Sequence, residues 1–138
     1  MSKVRRAFLP SMLALLFVQL AAPVSAQASR QTLSQVSQLL LDAYKHLSQE
    51  NDTEAARADC EKALALGKKA DDPFVSATIE VCFGDVADYE EKTDDACKRY
   101  DSALKKFQAV PAKHSAHRTL KTHISVTEGK RLTLGCET

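Results

Sequence analysis

Three histidines in the C-terminal part of the chain are the first candidates for chemistry. His114 and His117 are three residues apart, so on a helix they would share a face, and His123 follows them. Imidazole side chains bind transition metals and transfer protons near neutral pH. No carboxylate stands beside them in the sequence, so solvated surface positions are the simpler interpretation. We therefore predict no metal site and no cofactor.

Two acid pairs, Glu90-Glu91 and Asp94-Asp95, could be catalytic or calcium-binding carboxylates. They lack the spacing and the central glycine of a calcium-binding loop. Acids are also common where a helix begins, because they oppose its dipole. The serines stand in no G-x-S-x-G setting, and the sequence has no glycine-rich phosphate loop. We therefore predict that the protein is not an enzyme.

The first 26 residues have the pattern of a cleavable secretion signal. Its parts are a basic start with Lys3, Arg5 and Arg6, an apolar stretch over residues 12–22, and the small-residue site Val24-Ser25-Ala26. The alternative is an uncleaved membrane anchor, but the apolar stretch is shorter than the roughly 20 residues of a spanning helix. We expect cleavage before Gln27, export to the periplasm or the medium, and no stable membrane insertion afterwards.

Charge is balanced overall but unevenly distributed. The chain has a formal net charge of +1, and loss of the three leader bases would leave two more acids than bases, which does not call for a nucleic acid partner. Residues 80–95 contain seven acids and one base, whereas residues 98–131 contain nine bases and two acids. Two interpretations remain open. The charges could be ordinary helix-end and solvated-face residues, or they could form a dipolar surface that orients a charged partner.

After a polar and flexible segment over residues 27–32, the chain predicts one helical domain over residues 33–138. Apolar residues recur at three- and four-residue spacing, which predicts helices over residues 33–49, 54–70, 73–90, 93–110 and 115–134. We expect Asn51-Asp52-Thr53, Asp72 and Thr93 to supply N-caps, with Pro73 at a first helical position. A strand over Thr122–Thr127 is the alternative for part of the last helix, because β-branched residues are frequent there.

The turn between two of these helices is repeated forty residues later. Asn51–Ala56, followed by Cys60, Ala63 and Leu64, reappears as Lys92–Ala96, followed by Tyr100, Ala103 and Leu104. A unit copied in tandem cannot bury its apolar side alone and must stack on its neighbour. The sequence therefore predicts an array of helical hairpins.

These units resemble tetratricopeptide repeats. Phe83-Gly84 stands at the Leu-Gly place of a first helix, and Ala96, Tyr100, Ala103 and Leu104 stand at the packing places of a second helix. The first unit departs from the family pattern at Tyr44 and Cys60. Gly129-Lys130-Arg131-Leu132 loosely repeats the first-helix signature, as in a capping helix. The resemblance implies an all-α fold, a short right-handed α-solenoid of about two units plus a C-terminal capping helix.

The same resemblance implies that the first helices of the units line a concave groove. The corresponding positions are Gln38, Leu41, Lys45 and Gln49 in unit one, Thr78, Val81, Asp85, Asp88 and Tyr89 in unit two, and His123, Val126 and Lys130 in the cap. Among them Asp85, Asp88 and Tyr89 are the preferred candidates, since two acids beside an aromatic residue are hard to explain by packing. An ordinary solvated helix face is the alternative.

Four cysteines follow the leader, an even number that predicts two disulfides in an exported chain. Three connectivities are possible. In an antiparallel helix pair, residues equally distant from the turn lie at the same height. Cys60 and Cys82 are each eleven residues from Asp71, and Cys97 and Cys136 lie on either side of the break after Pro111. Cys82 with Cys97 fits less well, so we predict the pairs Cys60–Cys82 and Cys97–Cys136.

These observations favour a non-catalytic adaptor or scaffold of the cell envelope, which binds a protein or an extended peptide against its helical surface. The alternative is a small structural or self-associating helical protein, such as a homodimer, without a peptide-binding groove.

Overall fold

The computed structural model describes residues 24–137 of the chain. In this part the fold is all-α, as predicted, with helices α1 (Val24–Lys45), α2 (Thr53–Ala70), α3 (Pro73–Tyr89), α4 (Thr93–Gln108) and α5 (His117–Leu134). The alternative strand over Thr122–Thr127 is wrong, because these residues lie within α5. Residues 1–23, which contain most of the predicted leader, lie outside the described residues.

Two of the predicted helix caps are confirmed, and one is wrong. The Asp52 carboxylate accepts a hydrogen bond from the Ala55 amide, and Asp72 accepts from Phe74 and Val75 with Pro73 in the first turn. Thr93, in contrast, is already the first helical residue of α4, and the preceding Lys92 gives no side-chain cap. The reason is that Glu91 takes a left-handed conformation (φ 59°), which turns the chain before Thr93.

The first helix differs from its prediction at both ends. It begins at Val24 and includes residues 27–32, where the sequence predicted a flexible segment and where neither glycine nor proline interrupts a helix. At its other end a wider π-helical turn, His46–Glu50, extends α1 to Asn51, which has a left-handed backbone (φ 52°). No signal in the sequence had predicted this wide turn.

Successive helices run antiparallel, which brings α1, α3 and α5 into the same direction. Each helix packs against the next one, and α1 also contacts α3. Arg57 at the start of α2 bonds Glu90 just after the end of α3. The ring of His123 in α5 lies 5.0 Å from that of Phe74 at the start of α3. These contacts fix the relative heights of the helices.

Both predicted disulfides are confirmed. Cys60–Cys82 joins α2 to α3 with a Cα–Cα distance of 5.9 Å. Cys97–Cys136 joins the start of α4 to the residues after α5 with a Cα–Cα distance of 5.6 Å. Each bond therefore links two helices that are neighbours along the chain.

Residues forty positions apart in α2 and α4 share their burial. Ala56 and Ala96, Cys60 and Tyr100, and Ala63 and Ala103 are all 0% exposed. The two units fill the middle position differently, since Cys60 is bonded to Cys82, whereas the larger Tyr100 lies against Gly84. A Cβ atom on Gly84 would come within 2.5 Å of the Tyr100 ring. Gly84 is thus what allows Tyr100 to pack against α3.

Candidate binding groove

The three parallel helices enclose a concave surface, which we call the central groove. Helix α1 contributes Leu40, Ala43, Tyr44 and Leu47. Helix α3 contributes Thr78, Val81, Cys82 and Asp85, and α5 contributes His123, Val126 and Thr127. The groove has a volume of about 240 Å³ and a mainly apolar lining. It is therefore suited to apolar side chains.

A second concave region, the adjoining cavity, continues the groove towards the start of α3. It shares Leu40, Thr78 and His123 with the central groove and has a volume of about 510 Å³. Its remaining walls are again mostly apolar and include Leu33, Val36, Leu41, Phe74, Val75 and Ala116. Together the two regions form one apolar surface along α1, within the size range of binding sites in proteins.

Large apolar side chains are exposed along this surface. Leu41 is 63% exposed, Tyr44 64% and Val126 53%. In the described part of the chain they are three of five large apolar residues with such exposure, the others being Tyr89 and Leu132. Clustering of exposed apolar side chains beside a concave surface is typical of binding sites. Burial of these three by a partner would be favourable.

One carboxylate, that of Asp85, lies in the lining of the central groove. Its Oδ1 accepts a hydrogen bond from the Tyr100 hydroxyl at 2.7 Å and a bond from the Lys130 ammonium. Burial, followed by the negative charge of Asp85, raises the pKa of Tyr100 far above its usual value, so Tyr100 stays a donor. The sequence offered no packing role for Asp85, whereas the structure shows that it joins α3, α4 and α5.

Some of the predicted site residues line the central groove or the adjoining cavity, and the others do not. Leu41, Thr78, Val81, Asp85, His123 and Val126 line the central groove or the adjoining cavity. Lys45 and Gln49 are exposed and do not line either region, and Gln38 bonds Asp42 on its own helix. Asp88 is half-buried and Tyr89 exposed at the end of α3, one turn beyond Asp85. Lys130 does not line the groove itself, but its ammonium bonds Asp85, which does.

Two of the three C-terminal histidines, His114 and His123, occupy half-buried positions, contrary to the predicted solvated surface. His123 lies against the rings of Phe74 and Phe107, at 5.0 and 5.8 Å. His114 donates from Nε2 to Asp72 at 2.9 Å, and its Nδ1 accepts from the Ala116 amide. The sequence could not reveal these partners because Phe74 and Asp72 are far away along the chain. In residues 24–137 no group of three potential ligand side chains could hold a metal ion.

The groove residues on α1 were missed as site residues. Leu40, Ala43, Tyr44 and Leu47 belong to the apolar spacing that predicts the helix over residues 33–49, and this spacing does not distinguish a core residue from a groove residue. Ala43 and Leu47 are indeed buried, but Tyr44 is exposed on the edge of the groove. The only signal was a tyrosine within this stripe at the place where the repeat family has a small residue.

Outside the groove, ion pairs hold the hairpins together. Glu80 in α3 bonds Lys106 at 2.8 Å and Arg99 at 2.9 Å, both in α4. Burial by itself would raise the pKa of Glu80, but the two cations outweigh it and the net pKa is lowered. Hydrogen bonds from Arg57, then from Lys92, likewise lower the pKa of Glu90. These carboxylates are occupied in helix packing.

Comparisons with protein-family models, curated proteins and solved structures found no match to this chain. Among helices in residues 24–137, none combines the length and the apolar character needed to cross a membrane. The chemical character of the groove therefore has to be derived from its own side chains. They provide a broad apolar surface with two half-buried carboxylates, Asp85 in the central groove and Asp72, which is bonded to His114, in the adjoining cavity.

Proposed function

We propose that this protein is a non-catalytic adaptor that binds a segment of a partner protein, or an extended peptide, in the central groove and the adjoining cavity. The observation that carries the proposal is the row of exposed apolar side chains, Leu41, Tyr44 and Val126, beside an apolar concave surface. Exposed apolar area of this kind gains free energy when a partner covers it.

The proposal places the adaptor in the cell envelope or outside the cell. The basic and apolar leader with its site at Val24-Ser25-Ala26 supports export and cleavage before Gln27. Two disulfides and the absence of free cysteines in the described residues fit an oxidising compartment. The periplasm and the extracellular medium both meet this condition.

The resemblance to tetratricopeptide repeats is part of the same proposal. It assigns α1, α3 and α5 to the first-helix places, the two hairpins to repeat units, and α5 to the cap, in a right-handed array. Parallel α1, α3 and α5 around a groove support this assignment. So does the equal burial of Ala56, Ala96, Ala63 and Ala103.

A groove variant with a matched control tests the binding function. Tyr44→Asp combined with Val126→Asp places two carboxylates in the apolar surface, where burying them under a partner is unfavourable. Leu132→Asp is the control, because Leu132 is 74% exposed and does not line the groove or the cavity. We expect the double variant to capture its partner from envelope extract about tenfold less, a loss of about 1.4 kcal/mol, and the control to capture normally.

Self-association is the rival outcome of the same experiment. Light scattering over a concentration series would detect a stable dimer, and circular dichroism would show whether each variant is folded. If the wild-type chain is a dimer that Tyr44→Asp dissociates, and no partner is captured, the groove serves self-association and the adaptor function is wrong.

A further inference from the structure

The chemistry of the partner can be inferred from the carboxylates at one end of the central groove. Asp85 is half-buried in the lining, and both of its bonds, from Tyr100 and from Lys130, end on Oδ1. No donor in residues 30–137 bonds its Oδ2. A carboxylate can accept about four hydrogen bonds, so Asp85 has unused capacity in the groove.

A second carboxylate adds to the negative charge at this end. Asp88 follows Asp85 by three residues, which places both on one side of α3. Asp88 is half-buried and forms no ion pair within residues 30–137. Its charge acts on Tyr100, since Asp88 contributes with Asp85 to raising the pKa of that hydroxyl. Lys130 pairs with Asp85 alone, so the charge of Asp88 is not balanced by an ion pair within residues 30–137.

No cation on the opposite side of the groove compensates this excess. Lys45, the only lysine or arginine among residues 33–49 of α1 and its π turn, is exposed, is absent from the lining, and forms no ion pair with the described residues. The neighbouring His46 lies against Glu50 and Asp59 and is also absent from the lining. The rest of the groove wall is mainly apolar and contains no other carboxylate, lysine or arginine, with Tyr44 and Val126 exposed at its edges. The surface thus changes from apolar to negative towards the end of α3.

We propose that the segment bound in this groove is apolar and carries a lysine or arginine beside its apolar residues, and that this cation binds Asp85 at Oδ2. This inference rests on the proposed binding function and specifies its partner. Charge complementarity favours such a segment, because an acidic one would place like charges together in a half-buried site. An aliphatic or aromatic side chain in the groove and a cation at Asp85 would together fix the direction of the segment.

A selection from a displayed library of random 12-residue peptides tests the inference. The targets are the chain over residues 27–138, its Asp85→Asn variant and its Tyr44→Asp variant. Asparagine keeps the shape and an oxygen that accepts from Tyr100, so Asp85→Asn removes the charge while preserving the packing. We expect apolar peptides with an excess of lysine and arginine on the wild type, apolar peptides without that excess on Asp85→Asn, and no enrichment on Tyr44→Asp.

One enriched peptide then gives a double-mutant cycle. Changing its cation to glutamine, which removes the charge without adding an opposite one, should raise Kd about tenfold on the wild type and less than about twofold on Asp85→Asn. Lys130→Met removes the competing ammonium, so it should tighten binding of the cationic peptide severalfold. If Asp85→Asn loses its helical circular dichroism, Asp88→Asn replaces it, with a smaller effect in the same direction.

The outcomes separate this inference from the proposed function. Enriched apolar peptides without a cation preference, or a cation effect that Asp85→Asn leaves intact, would overturn the inference and leave the binding function standing. Failure to enrich any peptide beyond the Tyr44→Asp background would refute both. A wild-type dimer in light scattering that excludes every peptide would show that a second copy occupies the groove, and it would overturn the cationic partner.

Discussion

The close contact between Gly84 and Tyr100 explains how Tyr100 reaches Asp85 in the groove. Because Gly84 has no side chain, the Tyr100 ring can pack directly against α3. Tyr100 is fully buried, and its hydroxyl reaches Asp85 only because its ring lies directly on the backbone of α3. A methyl group at position 84 would be 2.5 Å from one ring atom and 2.7 Å from another. The ring is fully buried in a cluster with Ala87 and Ala96, against which Val81 and Leu134 pack, so it has little room to move away. Gly84 therefore supports the Asp85 carboxylate in the groove.

Two glycine substitutions in helices should have opposite effects. Gly84→Ala should lower the free energy of unfolding by about 1–3 kcal/mol, because overpacking exceeds the gain in helix propensity. Gly129→Ala, where an added Cβ meets nothing within 4 Å, should raise it by about 1 kcal/mol. Urea denaturation of both variants measures the difference. Equal stabilisation by both would contradict the packing described for Tyr100.

His46 is held between two carboxylates where α1 widens into its π turn. Its Nδ1 lies 2.7 Å from Glu50, and its Nε2 lies 3.4 Å from Asp59. The hydrogen bond with Glu50 raises the pKa of His46 above 6.5; partial desolvation opposes this shift, and the charges of Glu50, Asp59 and Asp52 reinforce it. Protonated His46 is thus favoured in the folded chain.

The sign of the resulting pH dependence follows from this raised pKa. The stabilising contribution of His46 is complete below pH 6.5, the pKa of the unfolded state, and is lost as pH rises through the folded pKa. His46→Gln should therefore be less stable than the wild type at pH 5.5, and this difference should shrink by pH 8.5. The control is His117→Gln, at an exposed position on α5. Thermal unfolding at both pH values measures the stability difference between the wild type and His46→Gln. A stability difference that grows with pH would contradict the raised pKa of His46.

At the scale of the helices, α5 depends most on contacts with the rest of the molecule. It has no side-chain N-cap, it contains Gly129, and its buried residues are Leu120 and Thr127. Contacts with α3 and α4 compensate: the ion pair of Lys130 with Asp85, the ion pair of Arg131 with Asp101 (Nε to Oδ1 2.6 Å), and the disulfide just beyond the end of α5. Since α5 forms one wall of the groove, these bonds also maintain the site.

Removing the second disulfide should loosen α5 selectively. Cys97 and Cys136 are 39 residues apart, so replacing both with alanine should lower stability by about 4 kcal/mol under the chain-entropy estimate. Hydrogen exchange should then show lower protection in α5 and in the start of α4, while the α1–α2 hairpin keeps its protection. Uniform loss of protection over all five helices would contradict the prediction that the α1–α2 hairpin stays folded when α5 loosens.

The helices themselves were largely predictable, and their exact ends were not. Apolar periodicity gave five helices, and aspartate caps before α2 and α3 gave their starts. Thr93 failed as a cap because the left-handed Glu91 moved the turn, a backbone property that side-chain patterns do not specify. The π turn at His46–Glu50 was not predictable either, because it contacts α2, for example between His46 and Asp59.

For the whole molecule, the sequence predicted which helices surround the groove better than which side chains line it. Helix order and equal heights across turns gave both disulfides. Periodicity, however, identifies only an apolar side of a helix, and Tyr44 shares this side with the buried Ala43 and Leu47 although it is exposed itself. The side chains that contact Asp85 and His123 lie on other helices, and apolar spacing within one helix does not predict contacts between helices. Handedness of the array and its family assignment stay predictions.

The uneven charge of the sequence becomes a separation along the helix axes. Exposed acids lie where α4 begins, with Glu91 in the preceding turn and Asp94 and Asp95 in the helix itself, whereas Lys113 and Arg118 lie beyond its opposite end. Asp94 and Asp95 are in the first turn of α4, and Lys105 and Lys106 are in its last turn, so both groups oppose the helix dipole. The same arrangement leaves the two ends of the molecule with opposite sign.

The order of the disulfides along the chain has a consequence for biosynthesis. Each bond joins a cysteine to the very next one, so the two covalent loops are consecutive and neither encloses the other. A polypeptide emerging N-terminus first from a translocation channel would expose Cys60 and Cys82 before Cys97 has appeared. If the chain is exported as proposed, pairing of each cysteine with the next one to emerge yields the native connectivity directly, without a step that reshuffles mispaired cysteines.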